Sequence, residues 1–270
     1  PLILVVNGLD HEKANFERSI EMMKDRFGSN TNVVQYPVNE GAGFNSIIDV
    51  LRMKMLQYPV EGGISKILDI PEDQMEKALE LHNALVEKAA ESDESLMEQF
   101  FANDSLTEEE IRRGIAKGIV TRGIFPVFCL SAKNNIGVDS LMEFIVSEAP
   151  SITDMPPPVN SRGDLVKADP AGPASVYVFK SSIEEHIGEI NYFRVFSGKI
   201  TENMEVVNSN NGVKERLSQL YVCAGKNRVR VQELNTGDIG AFVKLKNTKT
   251  DHTLNAPGND WKYAGISYPE

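Results

Sequence analysis

The sequence predicts an α/β domain that carries an α+β insertion and is followed by an all-β antiparallel barrel. Three observations lead there. Leu2 to Val6 and Phe125 to Leu130 are continuous apolar runs, the pattern of strands covered on both faces, as in parallel sheets flanked by helices. The stretch "EAPSITDMPPPVNSRGDLVKADPAGP", Glu148 to Pro173, breaks all periodicity, and its three consecutive prolines favour an extended boundary segment. Beyond it the apolar period becomes two, and glycine-containing turns separate short strands. With 270 residues, 41% of them hydrophobic, there is chain enough for two cores. The expected boundaries are a first domain over 1–158 with an insertion over about 40–121, a linker over 159–173, a barrel over 174–256 and a further linker over 257–270.

In chain order, the first strand gives way at about His11 to a helix whose apolar residues, Phe16, Ile20, Met23 and Phe27, fall at helical spacing, with Gly28 as its stop. A second strand spans Val33 to Val38. The insertion offers short strands over Leu51 to Tyr58 and Ile64 to Ile70. A helix marked by Met75, Ala78, Leu85 and Ala89 follows, then one carrying Leu96, Phe100 and Phe101. Thr107-Glu-Glu-Glu110 spells a capping box, which starts a helix with the buried stripe Ile111, Ile115 and Ile119. After the Phe125 to Leu130 strand, a closing helix presents Val138, Leu141, Met142, Ile145 and Val146 on one face. The barrel strands are expected over Val176 to Lys180, Ile187 to Phe196, Met204 to Asn208, Lys214 to Val222 and Arg228 to Gln232. In a last strand, Ile239, Ala241, Val243 and Leu245 alternate with Gly240, Phe242, Lys244 and Lys246.

Composition narrows the functional classes. No apolar run approaches the length of a membrane span, and residues 1–10 lack the features of a secretory signal, so a cytoplasmic address is expected. Cys129 and Cys223 lie far apart in apolar runs and read as reduced thiols, and the four histidines show no metal-ligand spacing. A net charge of −11 argues against non-specific DNA binding by the whole surface. From Asp69 to Arg113 fourteen acidic residues face four basic ones, a concentration that fits either a solvated helical face or an acidic docking surface.

The chemistry concentrates at two strand ends. In Asn7-Gly-Leu-Asp10 an Asn and an Asp stand three apart beyond an apolar strand. A carboxylate accepts through two oxygens and can take a fork of parallel N–H donors, which the N1–H and 2-amino group of guanine supply and adenine does not. An unpaired buried carboxylate against adenine would cost several kcal/mol, so one Asp can discriminate. Ligands of open parallel sheets bind beyond the carboxyl ends of strands, where this motif sits. The competing explanation is a plain turn with Asn and Asp as backbone acceptors. Ser131-Ala132-Lys133, at the end of "FPVFCLSAK", adds a second loop of the same placement. Arg162-Gly163-Asp164 is read as a chance tripeptide, and Met22, Met23, Met53 and Met55 as core filler. No Ser/His/Asp set, HExxH or Cys-x-x-Cys occurs.

Together the two loops resemble the N-K-x-D and S-A-K guanine-reading motifs of the GTPase superfamily. More specifically, "VVNGLDHEKANFERSIEMMKDRFGSN", "IPEDQMEKALELHNALVEKAAESDESLMEQFF", "LTEEEIRRGI", "FPVFCLSAKNNIGVDSLMEFIV", "YFRVFSGKI" and "TGDIGAFVKLKNT" resemble segments of the bacterial elongation factor G family, nearly continuously from Pro1 to about Asn255. The resemblance implies the C-terminal half of a P-loop GTPase domain with its insertion, then β-barrel domain II. It implies GTP or GDP as ligand, with Mg²⁺ held by segments this sequence does not contain. The phosphate-loop pattern G-x-x-x-x-G-K-[ST] is absent from the 270 residues, so this chain alone is expected to be inactive as a GTPase.

By the same resemblance Asn7 ties the base-reading loop to its neighbours and Asp10 reads N1–H and the 2-amino group. Ser131 braces the second loop, the Ala132 amide donates to guanine O6 and Lys133 packs its stem near the base. The implied function is GTP-dependent translocation of tRNA and mRNA on the ribosome. The insertion would face the ribosomal stalk protein, and Lys226, Arg228 and Arg230 would contact ribosomal RNA phosphates, unless they form only a solvated strand edge. Gly8 stands where the family has Lys, which removes an alkyl stem from the guanine face and a charge. That departure opens two alternatives: a relative that docks on the ribosome with weak or no GTP hydrolysis, and a ribosome-protection-type factor. Half a parallel sheet is also expected to leave an apolar edge and face uncovered.

Overall fold

The computed structural model describes residues 1–59, 61–184, 188–225 and 227–267, which divide into two compact units, Pro1–Pro150 and Ser151–Glu270. The first unit is mixed α/β and the second is antiparallel β.

In the first unit, β1 (Leu4–Asn7), β2 (Thr31–Val33) and β7 (Phe125–Leu130) form a parallel sheet with β7 in the centre, and five of β7's six residues are buried. The helix α1 (Phe16–Phe27) joins β1 to the β2 side. Its start lies later than the apolar spacing suggests, because Asn15 caps it by accepting from the Arg18 amide at 2.8 Å and leaves residues 11–14 as a turn. β1 is the sheet's edge strand and buries only alternate residues, leaving Val5 36% exposed.

The expected strand from Val33 to Val38 is two strands in two sheets. Val34 still donates to Val127 O at 3.0 Å and accepts from Val50 N at 3.0 Å, and past it β3 (Gln35–Pro37) enters an antiparallel sheet with β4 (Ser46–Asp49), β5 (Lys54–Gln57) and β6 (Lys66–Leu68), in the order β3-β4-β5-β6. Both sides of the switch are buried, so the apolar run shows no break. β4 went unrecognised, and the strand expected from Leu51 is a turn as far as Met53, which sits at φ +52°. Asp49 makes that turn: its Oδ1 accepts from the Leu51 and Arg52 amides at 3.1 and 3.0 Å.

Helices α2 (Glu72–Glu91), α3 (Glu94–Asn103) and α4 (Glu108–Thr121) complete the insertion. The capping box is present, with Thr107 N–H donating to Glu110 Oε2 at 2.7 Å, and Ile111, Ile115 and Ile119 are buried as their spacing predicts. Phe101, by contrast, is 77% exposed. Gly114 lets α4 lie directly on α2, since a Cβ there would come within 2.5 Å of Ala89 O.

The closing helix α5 (Val138–Glu148) is rotated from the face its apolar residues suggest, although Leu141 still packs against the core. Ser140, Phe144 and Glu148 are buried while Met142 and Val146 are 54% and 83% exposed. Contacts to other elements set that orientation: Glu148 pairs with Arg112 of α4 at 2.5 Å, and the Phe144 ring meets that of Phe128 at 4.7 Å. Losing Arg112 would strand the Glu148 carboxylate, a defect of about 3–5 kcal/mol, more than a few half-covered methyl groups can offset.

The second unit comprises β8 (Ser175–Glu184), β9 (Gly188–Ser197), β10 (Lys199–Thr201), β11 (Glu205–Asn208), β12 (Lys214–Arg216), β13 (Leu220–Ala224), β14 (Asn227–Val231), β15 (Glu233–Asn235), β16 (Ile239–Val243) and β17 (Thr253–Asn255). Eight strands form one sheet, β12-β11-β17-β8-β9-β16-β13-β14, and β10 pairs with β15. The expected strand Lys214 to Val222 divides into β12 and β13, with Leu217 between them fully buried; Ile187, the expected start of β9, lies outside the described residues. Phe193 stacks on Phe242 at 3.7 Å in the main core, whereas Ala241 and Val243 bury on the other side with Ile190. Alternation in β16 therefore separates two buried faces rather than core from solvent, and Ile239 is exposed. The polar stretches at either end of this unit bond to each other: Asn160 bridges to Tyr263, and Arg162 forks onto Asp260 at 3.0 and 3.1 Å.

Gly114→Ala should invert the usual helix rule. Alanine ordinarily stabilises a helix interior by about 1 kcal/mol over glycine, but the collision with Ala89 should make the variant about 1–3 kcal/mol less stable in urea unfolding. The uncovered β1 edge and the Met142/Val146 face should make the chain self-associate in a concentration-dependent manner in sedimentation, reduced by Met142→Glu with Val146→Lys. A monomer at every concentration would contradict this.

Candidate functional site

The site begins with register. β1 and β7 run parallel with Asn7 opposite Leu130, so the two loops that follow them emerge side by side from one end of the sheet. Leu130 O accepts the amides of both Gly8 and Leu9, at 3.1 and 3.4 Å, and the chain turns there with Gly8 at φ +83°. Leu9 is 1% exposed and anchors the turn, and its carbonyl accepts from Gly41 N at 2.8 Å. His11 N–H closes onto Gly8 O at 3.0 Å, which lifts Asp10 to the tip.

Asn7 joins the loops. Its Oδ1 accepts from the Gly8 amide at 2.8 Å and, across 125 positions of sequence, from the Ala132 amide at 3.0 Å. The Ala132 N–H, expected to face O6 of a guanine, is thus directed at Asn7 here. Ser131 is fully buried; its Oγ accepts from Asn134 N at 3.2 Å, and its backbone exchanges two 3.0 Å bonds with Ile136, closing the 131–136 loop on itself. The Ser131 hydroxyl, more than the nearby charges of Lys133 and His11, holds the Asp10 pKa below the ordinary carboxylate value. Ala132 and Lys133 are exposed.

Asn7, Asp10, Ser131, Ala132 and Lys133 therefore belong to one cluster. Its chemistry is recognition: a carboxylate kept ionised, with two oxygens to accept N–H donors. A planar base with a pair of adjacent N–H donors suits it. The rim includes residues that sequence reasoning missed. Beside Gly8 lies a cavity of about 380 Å³ lined in part by Lys13, Asn15 and Arg18, neither of whose cations forms a salt bridge among the described residues. No motif marks Lys13 or Arg18; only proximity to Gly8 in the fold does. A Cβ on Gly8 would meet nothing within 4 Å.

In the second unit the basic stretch is less free than its sequence suggests. Arg230 forks onto Glu202 at 2.6 and 3.1 Å, and Arg228 pairs with Glu184; Lys226 lies outside the described residues. In each pair a carboxylate already offsets the cation that a phosphate would use. Burial pushes the Cys129 thiol far up, and both cysteines are free. Among the described residues no three or more His, Cys, Asp or Glu side chains gather to hold a metal, and no helix is long and apolar enough to cross a membrane.

Comparison with known proteins agrees with this layout. The family described as elongation factor G domain 2 matches residues 173–256. Elongation factor G of Ureaplasma urealyticum serovar 10 is 34% identical over 259 residues, 94% of this chain and 38% of that protein, and its counterpart in Ureaplasma parvum serovar 3 is 33% identical over the same shares. A crystal structure of a Thermus thermophilus protein superposes with a TM-score of 0.79 at 23% identity, covering 100% of this chain and 38% of that one, which establishes a shared fold. Similar to elongation factor G along nearly all of its sequence, and spanning about 38% of the length of those relatives, the chain belongs to the elongation factor G family.

Proposed function

We propose that this chain is the guanine-reading and domain II part of a translation elongation factor that binds GTP and GDP and drives translocation of tRNA and mRNA on the ribosome in the cytoplasm. The observation that carries the reading is the Asn7 bridge. It holds the Asp10 and Ala132 loops together at the sheet end, so one nucleobase can meet both. Asp10 accepts from N1–H and the 2-amino group. Ala132 offers O6 its amide once Asn7 shares or releases it, and Lys133 lies along the base. Phosphates and Mg²⁺ are the business of segments outside these 270 residues, so the chain alone binds weakly and does not hydrolyse GTP. The insertion faces the ribosomal stalk protein, and the second unit faces ribosomal RNA.

Gly8 favours a second reading, in which the factor acts on the ribosome chiefly by docking and its nucleotide turnover is weak. With no side chain at this position, nothing from it covers the base, and the adjoining cavity stays open.

Titration of the chain with GDP, IDP and ADP, followed by backbone amide shifts, tests the first reading. GDP should bind best, IDP about tenfold more weakly for want of the 2-amino group, and ADP worst. Asp10→Asn should erase the difference between GDP and IDP. Because the Asp10 pKa is depressed, the carboxylate stays charged and the GDP preference should hold from about pH 8 to about pH 5, fading only below the ordinary carboxylate range. Equal binding of all three nucleotides would refute the assignment.

Gly8→Lys tests the second reading. The positive φ should cost the fold about 1–2 kcal/mol, yet the open space admits the side chain, and GDP affinity should rise severalfold. Unchanged affinity in a folded variant would mean that Gly8 does not limit binding.

A further inference from the structure

The 131–137 loop is held from a second side that has no part in the motifs. Four contacts from the antiparallel sheet and the chain just after it converge on it. At the near end, Gly137 sits at φ +77°, so close to Ile47 of β4 that a Cβ would come within 2.8 Å of its Cδ1. Next, the Tyr58 hydroxyl, on a side chain only 2% exposed, donates to Asp139 Oδ1 at 2.7 Å in the first turn of α5. Beyond it, Gly62, at φ +76°, lies against the Asn134 carbonyl so tightly that any side chain would collide with it. Finally, Gly63 N–H donates to Asn135 O at 3.2 Å. Asn134 and Asn135 are the residues directly after Lys133, and the Asn134 amide is the one that fixes the Ser131 hydroxyl.

We propose that Tyr58, Gly62 and Gly63 are positioning residues for the base site: they set the height and angle of the 131–137 loop, and with it the Ser131 hydroxyl that Asn134 holds. The geometry makes the loop a shared wall. One side is tied to β1 through the Ala132 amide on Asn7, and the other is tied to the insertion sheet through Asn134, Asn135 and Gly137, outside Ser131-Ala132-Lys133. A displacement of the Tyr58–Gly63 segment shifts Asn134 and so alters the partner of Asp10, while base occupancy loads the same contacts from the opposite direction. By linkage the coupling is reciprocal. The inference rests on the guanine reading for its ligand, but the mechanical tie can be tested without one.

The test uses the full chain with Tyr58→Phe, which deletes one hydrogen bond and keeps the ring, and Gly62→Ala, which forces the loops apart. Hydrogen exchange in the absence of nucleotide is the first readout. In Tyr58→Phe the Asn134 and Ile136 amides should exchange about tenfold faster, while Val6 and Phe128, in the β1–β7 ladder, keep their protection. Uniform acceleration at all four amides, or none at any, would overturn the proposal, the first because it marks general destabilisation. The second readout is the ratio of GDP to IDP affinity, which should drop severalfold in both variants; an unchanged ratio alongside a lowered unfolding midpoint would leave Tyr58 and Gly62 a merely structural role. If the unaltered chain shows no GDP preference, the base assignment fails, and the exchange result still decides whether the segment positions the loop.

Discussion

A single side-chain oxygen, Asn7 Oδ1, holds together the two loops at the end of the parallel sheet. It takes the Ala132 amide from one loop and the Gly8 amide from the other, at the point where β1 and β7 end in register. Much of the first unit can be read outward from that junction. Leu130 O anchors the first loop beneath it, Ser131 closes the second loop against Ile136, and the Ser131 hydroxyl helps keep the Asp10 carboxylate ionised. Replacing Asn7 by an apolar residue would take the acceptor from the exposed Ala132 amide and free the two loops to part, a loss of about 0.5–1.5 kcal/mol concentrated where geometry matters most.

The polar architecture of the first unit explains more of its shape than its apolar pattern does. Asp49 turns β4 into β5, Glu148 and Arg112 pin α5 to α4, and Tyr58 and Asp139 close the antiparallel sheet onto the start of α5. Each is a long-range or turn-forming bond made by a side chain in an otherwise apolar neighbourhood. Burial drives the collapse, but these bonds select which face of α5 turns inward and where the chain leaves one sheet for another.

That division also marks what the sequence could reveal. The central strand β7 agrees with its apolar run residue for residue, and the Thr107 cap with the Ile111, Ile115 and Ile119 stripe agrees likewise, because each is decided within a few neighbouring positions. The switch at Val34, the strand β4 and the orientation of α5 escaped detection. They depend on partners far away in sequence, and apolar periodicity carries no trace of a buried Asp49 or Glu148. The site divides in the same way. The residues of its two loops stand out as motifs, whereas the bond between Asn7 and Ala132, the cations of Lys13 and Arg18 beside Gly8, and the support from Tyr58 and Gly62 exist only once the chain is folded.

Gly8 has a consequence for descent. Once a lineage settles on glycine at this turn, its backbone is free to relax into a left-handed conformation that no other common residue shares comfortably, and the surroundings can adapt to an open space. A side chain is then harder to gain at this turn than to lose, since it must be carried on a strained backbone even though no neighbour stands in its way. Such a position works as a sloped gate in sequence space: drift towards glycine is easy, and the return is resisted by the backbone alone.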